Sequence, residues 1–151
     1  MTRIPPAALI LGLSGLIPFV WGAATVLSPD LLAFSQGMFG RRLTAHVVLQ
    51  GYGVVILCFM SGVIWGFATR AAGRIAATGY ALSVLPALWA FFFGLSPWPP
   101  TALVALGAGF VALLMIDWMF WSQGLAPPWW MRLRLILTGV VVPCLAVGAF
   151  L

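Results

Sequence analysis

Charge is what this chain has least of. Two acids, seven bases and one His among 151 residues make it 6% charged, against roughly 25% for a soluble domain. No water-facing surface can be assembled from so few charges, which excludes a soluble globular protein. Lysine is absent altogether, so every base is an Arg: Arg3, Arg41, Arg42, Arg70, Arg74, Arg132 and Arg134. These lie singly or in pairs between apolar runs, where loop charges orient helices. They form no stripe that could track phosphates, so the net charge of +5 does not indicate nucleic-acid binding. Cysteine is scarce too. Cys58 and Cys144 both fall in apolar runs and read as small buried hydrophobes, not as a disulfide or metal pair. The chain contains no HExxH, no CxxC, no phosphate-binding loop and no paired carboxylates, so a hydrolytic, redox or nucleotide-driven enzyme has no visible apparatus and no cofactor is expected.

What the chain has in abundance is apolar sequence: 64% of residues are hydrophobic, and the mean hydropathy is +1.15. A membrane-spanning helix needs about 20 such residues. Five runs meet that length, at about 7–27, 45–69, 75–95, 101–122 and 131–151. The fold class read from them is an all-α integral membrane protein, a single domain over residues 1–151 built as a bundle of five transmembrane helices. The first run begins at Ala7 and continues for about 20 residues, longer than the apolar region of a signal peptide, so it is read as a span. After it, Ser28 suits an N-cap, Pro29 the first helical position and Asp30 the first turn. Leu31, Phe34 and Met38 recur at helical spacing, which predicts a short helix over Pro29–Gly37 lying in the membrane interface. Gly124 suits a cap for the fourth run, and Trp118, Trp121, Trp129 and Trp130 read as an aromatic belt at one depth. Pro18, Pro86 and Pro143 sit inside runs one, three and five, where each removes a backbone donor and tends to kink its helix.

Five spans place Arg3, Arg70, Arg74, Arg132 and Arg134 on one side and only Arg41 and Arg42 on the other. The positive-inside rule then puts the N-terminus in the cytoplasm and the C-terminus outside. No internal repeat is evident.

Few residues could carry chemistry. Asp117 is the one acid within a run. It lies near the end of the fourth, where a carboxylate meets an unfavourable helix dipole and needs a cation. Arg70, Arg74, Arg132 and Arg134 are the candidates for an interfacial ion pair, and a proton relay or ligand-binding carboxylate is the competing reading. His46 opens the second run, with Gln50 one turn later on the same face. As a lone His it reads as an interfacial side chain satisfied by water or a loop, with quinone contact or pH sensing as alternatives. Tyr52 completes this set of polar contacts. Cys58, Ser61, Gly62 and Gly66 form a small-residue face on the same run. Such faces let helices approach closely, and internal packing is the first reading of this one, docking of another protein the second.

Two segments carry a resemblance. Leu11-Gly12-Leu13-Ser14-Gly15-Leu16-Ile17-Pro18-Phe19 resembles the opening of an uncharacterised bacterial and mitochondrial family of five-span proteins that includes the mitochondrial transmembrane protein sixty-nine. The run from Tyr52-Gly53 through Ile56-Leu57-Cys58-Phe59 and Ser61-Gly62 to Trp65-Gly66 is similar to that family's second-span signature. Ser83-Val84-Leu85-Pro86-Ala87-Leu88 and Trp130-Met131-Arg132-Leu133-Arg134 also look familiar, so the resemblance covers nearly the whole chain. The chain departs from the pattern at Ile64, where a basic or His residue is expected, and at Ser61, where a second glycine is expected. The resemblance implies the fold class and a bacterial inner or other energy-transducing membrane, and it supplies no reaction.

Two functions are consistent with these residues. One is a non-catalytic accessory, assembly or stabilising partner of a larger respiratory or photosynthetic membrane complex, its partners being the bilayer and other membrane subunits. The other is a small transporter or binder of an apolar ligand such as a quinone, a lipid or a tetrapyrrole.

Overall fold

The computed structural model describes residues 3–151. Seven α-helices follow in order: α1 (Pro6–Ser14), α2 (Ile17–Leu27), α3 (Pro29–Phe39), α4 (Ala45–Ala68), α5 (Gly73–Trp89), α6 (Pro99–Ser122) and α7 (Trp130–Phe150). A 3-10 turn (Gly40–Leu43) precedes α4, and a π-turn (Ala90–Gly94) extends α5. Among the described residues there is no β-strand, as expected where lipid offers backbone groups no partners. Among the described residues five helical stretches are long and apolar enough to cross a membrane. The protein is therefore an all-α bundle of multi-pass membrane type.

The breaks have local causes. Pro18 has no N–H to donate back one turn, and the first span divides there into α1 and α2, with Gly15 and Leu16 between them. Pro86 lies one turn before the π-turn, whereas α7 runs through Pro143 without interruption. Ser28 caps α3, its Oγ accepting from the Leu31 N–H at 3.3 Å. This helix extends to Phe39, two residues past the expected end, and stops at Gly40, whose φ of 68° lies in the left-handed region. A second knot joins this end of the bundle. Thr25 Oγ1 donates to the Gly22 carbonyl and accepts from the Ala45 N–H, so it supplies a partner to an orphan donor at the start of α4. Trp21 Nε1 and Ser35 Oγ both donate to the Leu43 carbonyl. At the other end, α6 closes in a Schellman motif: Leu125 N–H bonds Phe120 O, Gly124 N–H bonds Trp121 O, and Gly124 has φ of 71°.

α4 is the hub, touching α2, α5, α6 and α7, while α6 and α7 form the other tight hairpin and α2 also lies on α7. The core holds Phe19, Leu49, Leu57, Ile64, Leu103, Leu106, Phe110, Leu113, Phe120 and Leu145. The outer surface is equally apolar, with Leu11, Val20, Val55, Phe59, Phe92 and Met115 all exposed. In water that would be an aggregation-prone surface; in a bilayer it is the lipid face.

The small-residue face of α4 does not pack internally as expected. A Cβ on Gly62 or Gly66 would meet nothing within 4 Å, and Cys58, expected to be buried, is exposed. Only Ser61 turns inward, its hydroxyl donating to the Ser83 carbonyl of α5. Close approach is made by other glycines. A Cβ on Gly22 would lie 2.7 Å from both Val48 Cγ1 and Leu49 Cγ, and one on Gly109 would lie 2.8 Å from Trp89 Cδ1.

Candidate functional site

α6 and α7 are joined by a short loop, so the last turns of one face the first turns of the other. Two side chains of opposite charge meet there. Arg134 Nε donates to Asp117 Oδ2 at 2.7 Å, and Trp130 Nε1 donates to Asp117 Oδ1 at 2.7 Å. Asp117 is 0% exposed and Arg134 3%. Trp130, Arg134 and Thr138 recur every fourth residue on α7, which stacks them on one helix face. The carboxylate thus has a charge-assisted bond on each oxygen. Breaking such a buried pair by removing one partner strands a charge and costs about 3–5 kcal/mol.

Arg134 was expected both among the orienting loop charges and as one of four candidate partners of Asp117; it is that partner, and it lies inside the bundle, because α7 begins at Trp130 and turns this residue toward α6. Asp117 was expected at the interface and is enclosed by protein. Trp130 belongs to this network and not to the outer belt, whereas Trp118 is exposed. Arg70 does stay on the surface, where its Nη1 donates to the Leu125 carbonyl and ties the α4–α5 turn to the α6–α7 loop.

The other polar residues expected to act together are dispersed. Gln50 Nε2 donates to the Gly94 and Ser96 carbonyls, each at 2.9 Å, and so holds the exit of the π-turn. Tyr52 stacks edge-on against Phe19 with ring centroids 5.1 Å apart. His46 is half-buried in the first turn of α4. Asp117 lies near the last turn of α6, and the Gln50 bonds place the start of α4 beside the loop that precedes α6. His46 and Asp117 therefore stand at opposite ends of the bundle.

Two buried polar atoms have no partner among the described residues: Arg134 Nη2 and Thr138 Oγ1. Their residues share a pocket of about 150 Å³. Its walls come from Leu11, Gly12 and Gly15 at the α1–α2 break, Phe19 of α2, Ile56, Phe59 and Met60 of α4, Phe110 of α6, and Leu137 and Val141 of α7. Arg134 and Thr138 are the polar residues among those that line it. Ser14, Thr25, Thr69, Ser83 and Ser122 each bond a carbonyl one turn earlier, and Thr138 does not. A buried unsatisfied group costs about 1–3 kcal/mol. Sequence reasoning missed Trp130, Arg134 and Thr138 as a set, although their four-residue spacing was the available signal.

A larger hollow of about 480 Å³ lies between the end of α5 and α6, lined by Leu85, Phe92, Phe93, Ala112 and neighbours. Its Trp89 N–H is already bonded to the Ala105 carbonyl. Nothing in it asks for more than lipid hydrocarbon.

A family model described as "Protein of unknown function (DUF3429)" matches residues 4–150. The chain belongs to the DUF3429 family. That match takes in every part of the site, from Leu11 to Val141. No curated protein and no solved structure matches this DUF3429 chain.

Proposed function

We propose that this DUF3429 protein is a non-catalytic binder of a lipid-soluble ligand whose polar head is held by Arg134 and Thr138. The observation that carries this reading is an otherwise apolar pocket lined in part by Arg134 and Thr138, the two residues whose buried side chains have an unpartnered polar atom. Ligand sites of this kind are apolar with a few placed polar groups that fix orientation. Leu11 and Phe59, among the residues that line the pocket, are exposed on the outer apolar surface, which supports entry of a ligand from the bilayer. The test is purification from native membranes in mild detergent, followed by solvent extraction and mass spectrometry. One small apolar compound should co-purify near equimolar amounts with the wild type and be depleted in Thr138→Val. Equal recovery from both proteins would refute the reading.

A second reading, an accessory subunit of a respiratory or photosynthetic complex, is favoured by the open face at Cys58, Gly62 and Gly66. Crosslinking from Cys58 in native membranes tests it, and a ladder confined to lipid adducts would count against it. Both readings place the protein in a bacterial inner membrane and group it with the mitochondrial transmembrane protein sixty-nine. With Arg134 removed from the loop charges, Arg3, Arg70, Arg74 and Arg132 still outnumber Arg41 and Arg42. The bias supports a cytoplasmic N-terminus. A C-terminal reporter active only in the cytoplasm would reverse that orientation.

A further inference from the structure

We propose that the seam between α5 and α6 binds one anionic phospholipid. Arg74, Thr78 and Gln123 hold its phosphodiester, and one acyl chain lies in the apolar hollow deeper along the same seam. This site is separate from the pocket beside Arg134 and stands independently of the reading above.

Charge is unbalanced at this end of the bundle. The chain has two acids, Asp30 and Asp117. Asp30 lies on α3, before the start of α4, whereas Arg74 follows the end of α4, a helix of 24 residues and so about 36 Å long. Asp117 is enclosed with Arg134 in the one salt bridge among the described residues. Arg74 stands exposed in the first turn of α5, where the helix dipole disfavours a cation. Arg70 reaches the Leu125 carbonyl, two residues beyond Gln123, and gains no countercharge there. An anion for this corner therefore comes from outside the chain. The arginine bias assigns this end to the cytoplasm, whose leaflet carries the anionic lipids.

A cavity of about 170 Å³ lies at this corner, lined by Arg74, Ile75 and Thr78 of α5 and by Met119 and Gln123 of α6. Arg74, Thr78 and Gln123 are all exposed, and guanidinium, hydroxyl and amide can each donate to a phosphate oxygen. None of the lining residues is an acid, so a headgroup that also carries an ammonium finds no partner for it. Basic pockets between membrane helices on the cytoplasmic side suit anionic headgroups. The chemistry therefore favours a phosphodiester with an uncharged headgroup, of the phosphatidylglycerol class, over phosphatidylcholine.

The hollow of about 480 Å³ lies in line with that cavity. Thr78, Leu85 and Trp89 recur at helical spacing on one face of α5, as do Gln123, Met119, Ile116 and Ala112 on one face of α6. Leu85, Trp89 and Ala112 are exposed, so the hollow is open to hydrocarbon. At 1.5 Å per residue, Ile116 lies about 10 Å along α6 from Gln123, and Ala112 about 16 Å. The hydrocarbon of one leaflet is about 15 Å deep, half of the bilayer core. An acyl chain anchored at Arg74 therefore ends beside Ala112. The Trp89 N–H is held by the Ala105 carbonyl, so no polar group in the hollow opposes the chain.

The experiment uses the full chain in detergent micelles with three probes: dioleoyl phosphatidylglycerol, dioleoyl phosphatidylcholine and inorganic phosphate. Native mass spectrometry counts the bound lipid, and circular dichroism checks that each variant is folded. The wild type should retain one phosphatidylglycerol at concentrations where phosphatidylcholine is not retained. Arg74→Gln should weaken that binding about fivefold, the effect of one arginine near an anionic lipid surface. Arg132→Gln removes the same charge from the same end but outside the seam, and should leave binding unchanged. Ala112→Phe fills the hollow without altering charge and should weaken binding at least as much as Arg74→Gln. Inorganic phosphate should not displace the lipid. Equal retention of phosphatidylcholine, or equal losses from Arg74→Gln and Arg132→Gln, would reduce the effect to the general charge of this end and overturn the proposal. Displacement by inorganic phosphate, with Ala112→Phe silent, would leave a simple anion site and refute the lipid. A wild type that retains no phosphatidylglycerol would refute the site outright. Should Ala112→Phe not fold, the comparison of Arg74→Gln with Arg132→Gln decides alone.

Discussion

The Asp117–Arg134 pair permits a quantitative test of how this bundle is held together. Asp117→Leu leaves the Arg134 guanidinium buried at 3% exposure with no countercharge, and Arg134→Met leaves the Asp117 carboxylate at 0% exposure with only the Trp130 N–H. Each single change should cost about 3–5 kcal/mol, the usual loss when half of a buried pair is removed. The double variant Asp117→Leu/Arg134→Met removes both charges and replaces them with apolar volume. Such replacements are often neutral or stabilising, so the double variant should lie within about 1–2 kcal/mol of the wild type. A double-mutant cycle then yields a coupling of about 4 kcal/mol or more. The assay is reversible unfolding in mixed micelles of increasing sodium dodecyl sulfate fraction, in ligand-free protein, followed by far-ultraviolet circular dichroism. Singles that each cost less than about 1 kcal/mol would show that water or lipid headgroups solvate these charges and that the burial described here is wrong. A double variant as unstable as the sum of the singles would show that the two side chains are not coupled.

Trp130→Phe keeps the ion pair and removes one bond to a charged oxygen; the same assay should show a loss of about 1.5–3 kcal/mol. Gly22→Ala forces a Cβ to within 2.7 Å of Val48 Cγ1 and Leu49 Cγ and should cost about 1–3 kcal/mol. Gly62→Ala, facing open space, should be neutral or stabilising by up to about 1 kcal/mol; the reverse order would mean that α4 is rotated relative to this description. Gly124→Ala places a Cβ at φ of 71° and should lower stability by about 1 kcal/mol, since it strains the Schellman turn that closes α6. Gln50→Leu removes both donors from the Gly94 and Ser96 carbonyls; hydrogen exchange should quicken at the α5–α6 loop and stay unchanged at Asp117.

What the sequence determined by itself is local. Run length and hydropathy placed the spans, because an apolar segment of about 20 residues has one stable state in lipid. Ser28-Pro29-Asp30 announced α3, Pro18 announced the break in the first span, and Gly124 announced the end of α6, since each acts through its own backbone and neighbours within a turn. Which face of each helix turns inward was a different matter. In water the buried face is the apolar one, but here Phe59 faces outward and Phe110 inward with no difference in character. Lipid tails are as apolar as the core, so periodicity carries little information about direction. The outward Gly62 and Gly66, the inward Gly22 and Gly109, and the transfer of Arg134 from loop to core were therefore decided by tertiary packing alone. Only there is Arg134 singled out from four candidate arginines as the partner of Asp117 and brought, with Thr138, to the lining of a pocket.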